Sequence, residues 1–195
     1  MAINAPLLTI ITGERGAGKT NVCQVLIGLA RQRGLHVEGV ISPAIIVNGM
    51  KTGILVENVA TREQRKLACL NETHSQGDLQ TSHWVFDPDA MAWGSQILDQ
   101  SGDCDLLVVD ELGPLELEHQ RGWVEGITAI NRMNYRMGVV VIRPELLEKA
   151  KDLWPKAEVF TVTGEIHSER SLRYSDLTNK GDISSLFILF YRQFQ

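Results

Sequence analysis

The fold of this chain is decided by one stretch, LLTIITGERGAGKT, which runs from Leu7 to Thr20. Its first half, Leu7 to Ile11, is a short and mostly apolar run that ends in a glycine-rich turn. Such a run is typical of a strand buried on both faces of a parallel sheet. After Lys19, apolar residues recur at helical spacing as far as Gly34, which predicts a helix that ends there. The stretch therefore predicts a strand, a loop and a helix in succession.

The loop of this unit matches the pattern GxxxxGK[ST] in full. Glycines let successive backbone N–H groups point at phosphate oxygens, and the start of the following helix adds its positive dipole end. Lys19 supplies a compact charge for the β- and γ-phosphates, and the Thr20 hydroxyl suits Mg²⁺. The alternative is a glycine-rich turn with an incidental lysine. The predicted phosphate-binding residues are Gly13, Glu14, Arg15, Gly16, Ala17, Gly18, Lys19 and Thr20, with Glu14 and Arg15 pointing outward.

A second chemical motif ends another apolar run, DLLVVDE, residues 105–111. A strand that ends in acids places their carboxylates at the carboxyl edge of an open α/β sheet, where ligands bind. We expect Asp110 to hold Mg²⁺ together with Thr20. Glu111 is predicted to orient and polarise a water for in-line attack on the γ-phosphorus, with Lys19 as the second catalytic residue. We expect the two motifs to lie at neighbouring strand tips, with the phosphates between them.

Strands and helices alternate along the rest of the chain. Asn48-Gly49 predicts a hairpin in which Ile45, Ile46 and Val47 face Ile54, Leu55 and Val56. Residues 60–82 are polar and weakly periodic, and we predict a loop with one short element at most. The alternation indicates an α/β fold with a mostly parallel central sheet and an added β-hairpin. Further strands are predicted at 37–41, 138–142 and 159–162, and helices at 88–100, 118–134 and 144–153.

Composition limits the classes of protein to which the chain can belong. Its 195 residues suit one domain, 1–195. With 19 Lys and Arg against 24 Asp and Glu, the net charge of −5 gives no global positive field for nucleic acid or anionic membranes. No apolar run reaches the roughly 18 residues of a membrane span. The three cysteines are odd in number and lack CxxC spacing, which favours reduced thiols. We expect a cytoplasmic protein without a membrane or nucleic-acid partner.

The chain ends in an aromatic stripe at helical spacing, which predicts a terminal helix. Packing of this helix onto the core is the favoured interpretation, and an oligomer contact through the same stripe is the alternative. The stripe consists of Ile183, Leu186, Phe187, Phe190, Tyr191 and Phe194.

Taken together, these motifs resemble the small P-loop nucleoside-triphosphatases that include the cancer-related nucleoside-triphosphatase and its thermophile relatives. GVISPAIIVNGMKTGILVEN, Gly39 to Asn58, is similar to the family's hairpin segment, and VVDELGPLEL, Val108 to Leu117, resembles its acidic signature. The similarity runs over about residues 7–163. It implies a three-layer RecA-like fold and slow hydrolysis of ATP, GTP and other nucleoside triphosphates with little base preference. By position it also implies that Thr20 and Asp110 bind magnesium and that Glu111 activates water.

The chain departs from the family pattern at several positions. The family often has proline where Glu14 and Arg15 stand, and lysine where Pro114 stands. Arg143 follows the strand ending in Ile142 directly, at the correct edge of the sheet to sense a γ-phosphate, although an ordinary surface arginine fits equally well. Residues 164–195, a C-terminal extension with the terminal helix, have no counterpart in the family pattern.

Two other functions are compatible with the same motifs. A small kinase would use Glu111 or Asp110 to accept a proton from a substrate hydroxyl, with Arg62, Arg65 and Lys66 as the only candidates for a lid. A nucleotide-gated binding module would use turnover to reset a partner interface such as the C-terminal helix.

Overall fold

The structure is a computed structural model that describes residues 5–71, 83–163 and 182–195. The strands are β1 Leu7–Thr12, β2 Val37–Ile41, β3 Ala44–Val47, β4 Met50–Asn58, β5 Gln64–Leu70, β6 Trp84–Phe86, β7 Cys104–Leu112, β8 Tyr135–Ile142 and β9 Glu158–Thr161. The helices are α1 Lys19–Gln32, α2 Pro88–Gln100, α3 Pro114–Leu117, α4 Val124–Arg132, α5 Leu147–Leu153 and α6 Asp182–Gln193, with a 3₁₀ turn at Pro144–Leu146 before α5.

Within the described ranges, the nine strands form one sheet in the order β6-β5-β4-β2-β7-β8-β1-β9, with β3 paired to β4. The five strands from β2 to β9 are parallel. The strands β3, β4, β5 and β6 are antiparallel and extend the sheet beyond β2. We call these four strands the antiparallel wall. The predicted α/β fold with a mostly parallel sheet is therefore confirmed.

Apolar side chains cover both faces of the sheet and create three layers. On one face, Leu26 of α1 and Phe187 of α6 belong to one cluster with the strand residues Ile11 and Val108. On the other face, Leu98 of α2 joins helices α4 and α5 in a second cluster. The central strands are mostly apolar because they are buried on both sides, as their sequence predicts.

The hairpin between β3 and β4 forms at Asn48-Gly49 as predicted, but with a different register. Asn48 and Gly49 have φ of +50° and +77°, the left-handed pair that a two-residue hairpin turn requires. Val47 pairs with Met50, and Ala44 pairs with Ile54. The predicted pairing of 45–47 with 54–56 was wrong, because the two-residue loop places 50–54 opposite β3 and leaves 55 and 56 to pair with β5.

Two further predictions about local structure need a comment, and the second of them was wrong. The one short element allowed within residues 60–82 is the strand β5, Gln64–Leu70, which lies between β4 and β6. The predicted helix over 118–134 begins only at Val124. Gly122 has φ +70°, a conformation that a right-handed helix cannot contain, and so the chain turns before α4 starts. Residues 72–82 lie outside the described part of the chain.

The C-terminal helix packs onto the core, as the favoured interpretation of the aromatic stripe predicts. Leu186, Phe187 and Phe190 are buried against the α1 face of the sheet. The guanidinium of Arg33 lies 4.0 Å from the centre of the Tyr191 ring, and that of Arg136 lies 4.8 Å from the centre of the Phe194 ring. The side chain of Ile183 and the residues 164–181 lie outside the described set. Among the helices that are described, none has the length and apolar character needed to cross a membrane.

Candidate functional site

The loop between β1 and α1 has the backbone that phosphate binding requires. Gly13, Gly16 and Gly18 all have positive φ, at +146°, +83° and +93°. A side chain at Gly13 would also collide with the chain, because a Cβ atom there would lie 2.5 Å from the carbonyl oxygen of Val162. The glycines at these positions are therefore set by conformation and by a close backbone approach, and the loop leads directly into the N-terminus of α1.

Lys19 is the cation of this loop, and its side chain is 7% exposed. Its ammonium donates hydrogen bonds to the carbonyl oxygens of Gly13, at 2.6 Å, and Glu14, at 2.9 Å. These two bonds hold the Lys19 side chain folded back over the loop, so that its charge lies next to the loop backbone. Glu14 and Arg15 are exposed, as expected for residues whose side chains point outward.

The acidic motif lies at the carboxyl edge of the sheet, but not on the strand next to the phosphate loop. β8 lies between β7, which carries Asp110, and β1, which enters the loop. The expectation of neighbouring strand tips was therefore wrong. The two motifs still meet, because Thr20 in the first turn of α1 hydrogen-bonds to the Asp110 side chain. The peptide bond that joins Asp110 to Glu111 is cis.

Asp110 is 1% exposed and lies at the centre of a small polar network. The Ser42 backbone N–H donates to its carboxylate at 3.1 Å, and the Ser42 hydroxyl donates to its backbone carbonyl at 2.6 Å. Burial raises the pKa of the Asp110 carboxyl to about 6, and the nearby Glu111 adds to this shift; bonds from Ser42 and Thr20 and the charge of Lys19 oppose it. The carboxylate and the Thr20 hydroxyl are hard oxygen donors, a set that fits Mg²⁺.

Glu111 is less buried than Asp110 and forms an ion pair with Arg143. The Nε of Arg143 donates to Oε1 of Glu111, and the two side chains are 47% and 28% exposed, respectively. Arg143 directly follows β8, the strand between the two motifs. The structure therefore brings together the three residues predicted at these strand ends, Asp110, Glu111 and Arg143.

Glu116, which belongs to the acidic signature, has a structural position. Its buried carboxylate accepts hydrogen bonds from the backbone N–H groups of Gly113, at 2.8 Å, and Trp123, at 2.9 Å. Burial raises the pKa of Glu116 despite these bonds. A Cβ atom at Gly122 would lie 2.1 Å from its Oε1. Glu116 thus holds the chain between β7 and α4 in a tight turn that supports the acidic edge.

The residues considered for a kinase lid do not converge on the site. Arg65 pairs with Glu63, and its guanidinium lies 4.2 Å from the centre of the Trp93 ring. Arg62 interacts electrostatically with Arg31, which lies in the last turn of α1, at the opposite end of that helix from the phosphate loop. Arg65 is therefore held by Glu63 and Trp93, and the charge of Arg62 lies near Arg31, whose charge it repels, at the far end of α1.

Two residues near the site were missed from the sequence. Ser42 follows β2 and holds Asp110; a polar residue directly after an apolar strand is the signal that could have identified it. Lys51 lies in the hairpin, and its ammonium is within electrostatic range of Arg15, Asp110, Glu111 and Arg143. Only strand pairing brings Lys51 there, so no local pattern could have indicated it. Across the described ranges, no group of three or more His, Cys, Asp or Glu side chains is arranged to hold a metal.

Comparison with known proteins supports this assembly of motifs. The chain is 33% identical over 109 residues to the nucleoside-triphosphatase THEP1 of Caldivirga maquilingensis, an alignment that covers 56% of this chain and 60% of that relative. It therefore spans less than two thirds of that protein's length.

Two solved structures share the fold. The human cancer-related nucleoside triphosphatase superimposes with a TM-score of 0.60 at 19% identity, over 82% of this chain and 90% of the other. THEP1 of Aquifex aeolicus superimposes with a TM-score of 0.61 at 16% identity, over 94% and 99% of the two chains. The family described as NTPase matches residues 8–170, which include both motifs and most of the sheet. This chain belongs to that NTPase family.

Proposed function

We propose that this protein is a Mg²⁺-dependent nucleoside-triphosphatase that hydrolyses the β–γ phosphoanhydride. One observation carries the proposal: the buried Asp110 is hydrogen-bonded to Thr20, the last residue of the phosphate loop, and the next residue is Glu111. A phosphate-binding loop, a metal-binding pair and a candidate for water activation thus lie at one edge of the sheet.

The loop and Lys19 would bind the triphosphate. Backbone N–H groups of the loop and the start of α1 face the phosphates, and phosphate oxygens replace the carbonyls of Gly13 and Glu14 as acceptors for the Lys19 ammonium. The exchange is favourable because a charged phosphate is a stronger acceptor than a neutral carbonyl. Lys19 then stabilises the negative charge that develops on the β–γ bridge in the transition state.

Thr20 and Asp110 are the residues that would hold Mg²⁺. A bound Mg²⁺ supplies charge neutralisation for the β- and γ-phosphate oxygens. Ser42 keeps the Asp110 carboxylate in place through its backbone N–H. The raised pKa of Asp110 reflects a buried charge without a full counter-charge, which a cation at this position would provide.

Glu111 would orient the attacking water, and Arg143 would sense the γ-phosphate. Both side chains are partly exposed at the strand edge, where water has access. Their ion pair couples the two roles, because the guanidinium that now binds Glu111 can bind a γ-phosphate oxygen instead. Release of Glu111 by the arriving phosphate would leave the carboxylate free to accept a proton from water.

The substrate range is proposed to include ATP and GTP with little base preference, in keeping with the general names of the relatives. We also propose that residues 1–195 form one cytoplasmic domain. Any oligomer would form outside the buried part of α6, because Leu186, Phe187 and Phe190 are already covered by the chain itself.

Release of inorganic phosphate from a panel of nucleoside triphosphates, measured with and without Mg²⁺, tests this function. We expect Mg²⁺-dependent release from every purine and pyrimidine triphosphate, with rates that differ little among bases. Labelled γ-phosphate that appears on an added nucleoside or metabolite, instead of in free phosphate, would indicate a kinase and contradict the proposal.

A further inference from the structure

The hairpin of the antiparallel wall projects past the carboxyl edge of the parallel sheet. β2 ends at Ile41, which pairs with Glu57 of β4. The earlier residues of β4 continue beyond this point and pair only with β3 and β5. Lys51 lies six residues before Glu57, which corresponds to roughly 20 Å of extended strand. Register shifts between Ile54 and Leu55 and between Ile45 and Ile46 bend this segment.

The bent hairpin carries Lys51 over the site. Its ammonium lies 5.0 Å from the centre of the Trp84 ring of β6 and interacts electrostatically with Arg15, Glu111 and Asp110. Burial and the charge of Arg15 lower the pKa of Lys51, while the two carboxylates oppose this effect. The Lys51 ammonium is therefore within electrostatic range of both the phosphate loop and the acidic edge.

This arrangement concentrates positive charge at one place on an acidic protein. Lys19, Arg15, Lys51 and Arg143 are cations around two carboxylates, although the chain as a whole has a net charge of −5. Arg15 and Arg143 both disfavour the charge on Lys51, so the cations repel one another where they stand. A bound polyanion would relieve this repulsion, and a triphosphate is a polyanion.

We propose that Lys51 binds the terminal phosphate of the nucleoside triphosphate, so that the hairpin discriminates triphosphates from diphosphates. The inference rests on the function proposed above. Glu111 and Arg143 mark the γ-phosphate side of the site, and the electrostatic partners of Lys51 include both. Lys51 is thus a substrate-binding residue delivered from a distant strand, and it makes its contact only when the third phosphate is present.

Affinities for a triphosphate analogue with an imido β–γ bridge and for the matching nucleoside diphosphate, both with Mg²⁺, test this role. We expect Lys51→Gln to lose about 10- to 100-fold in affinity for the triphosphate analogue, the size of one charge-assisted bond, with diphosphate affinity unchanged. Lys51→Arg should restore most of the loss. Lys156→Gln, which alters an exposed lysine in the turn before β9, is the control and should leave both affinities unchanged.

The outcomes separate this inference from the proposed function. Equal losses for both nucleotides, or none for either, would overturn the role of Lys51, and so would failure of Lys51→Arg to recover. Near-ultraviolet circular dichroism of the variants reports whether Trp84 keeps its packing, since a disrupted wall would lower both affinities together. A wild-type protein that binds the nucleotides without hydrolysing them, together with a Lys51→Gln variant that loses only triphosphate affinity, would overturn the proposed function but support the role of Lys51. A protein that binds neither nucleotide would overturn both.

Discussion

The phosphate loop and the antiparallel wall both face the proposed site, but they reach it in different ways. The loop consists of eight consecutive residues with the spacing of a phosphate-binding pattern, and its Lys19 hydrogen-bonds within the loop itself. The wall places Lys51 within electrostatic range of Arg15 and the acidic edge only through pairing across β2, β4 and β5. Site residues that are consecutive in the sequence can be recognised as a motif. A site residue that strand pairing brings into place can be identified only from the folded structure.

The largest expected effect comes from removing the local charge. Lys19→Met keeps the length of the side chain but removes the ammonium that stabilises the charge developing on the phosphates. We expect phosphate release to fall by about 10³-fold or more, with a loss of about 1–3 kcal/mol in the free energy of unfolding because the carbonyls of Gly13 and Glu14 lose their donor. Steady-state phosphate release together with thermal melting measures both, and Lys156→Met is the control. A variant that keeps a tenth or more of wild-type turnover would show that the loop lysine is not required.

The next effect concerns the carboxylate where the two motifs meet. Asp110→Asn removes a buried charge whose pKa in the folded protein is raised from 3.8 to about 6. Because the folded pKa lies above the unfolded value, the ionised group destabilises the protein at pH above 6, by up to roughly 3 kcal/mol. In metal-free buffer, we expect the variant to have a higher free energy of unfolding than the wild type at pH 7.5, while its hydrolysis is lost.

This gain in stability should depend on pH. As pH falls from 6 towards 4, the Asp110 carboxyl of the wild type takes up a proton in the folded state, so the difference between the two proteins should shrink. Denaturant titrations at pH 7.5, 6 and 4.5 measure this difference in the free energy of unfolding. Asp99→Asn, which breaks an exposed ion pair with Arg132, should give no such gain. A less stable Asp110→Asn protein, or a gain that is the same at every pH, would contradict the assigned burial cost.

The smallest expected effect is on stability, and it tests the hairpin turn of the antiparallel wall. Gly49 has φ +77° in the hairpin turn, and a Cβ atom there meets no other atom within 4 Å, so Gly49→Ala adds backbone strain without a steric collision. We expect a loss of about 1 kcal/mol in unfolding free energy. Gly102→Ala, at an equally open position without a positive φ, should be neutral or slightly stabilising. Urea midpoints compare the two, and equal effects would argue against the strained turn.

The sequence was sufficient for the parts of the fold in which one local signal dominates. The strand, loop and helix of residues 7–32, the turn at Asn48-Gly49 and the buried strand ending in Asp110 were all predicted from neighbouring residues. Their physical reasons are local: a left-handed backbone needs glycine or asparagine, and a strand covered on both faces is apolar. The burial of Leu186, Phe187 and Phe190 in the C-terminal stripe followed from its helical spacing in the same way.

The rest could not be predicted because distant contacts override the local pattern. β5 is mostly exposed, since only Leu67 and Ala68 of its seven residues are buried, so its strand state depends on pairing with β4 and β6. The helix after the acidic motif starts late because Glu116 holds the preceding residues in a turn. The strand β8 was predicted at 138–142, but its position between the two motifs was missed, because strand order is a property of the whole sheet.

The central claim is that Glu111 activates water next to a triphosphate held by the loop. The most direct test is Glu111→Gln, which keeps the size of the side chain and its capacity to bond to Arg143. We predict that the variant binds the triphosphate as tightly as the wild type but releases phosphate at least about 10²-fold more slowly. The exposed Glu148, changed to Gln as a control, should have no effect on either quantity. Wild-type rates of phosphate release from Glu111→Gln would contradict the account.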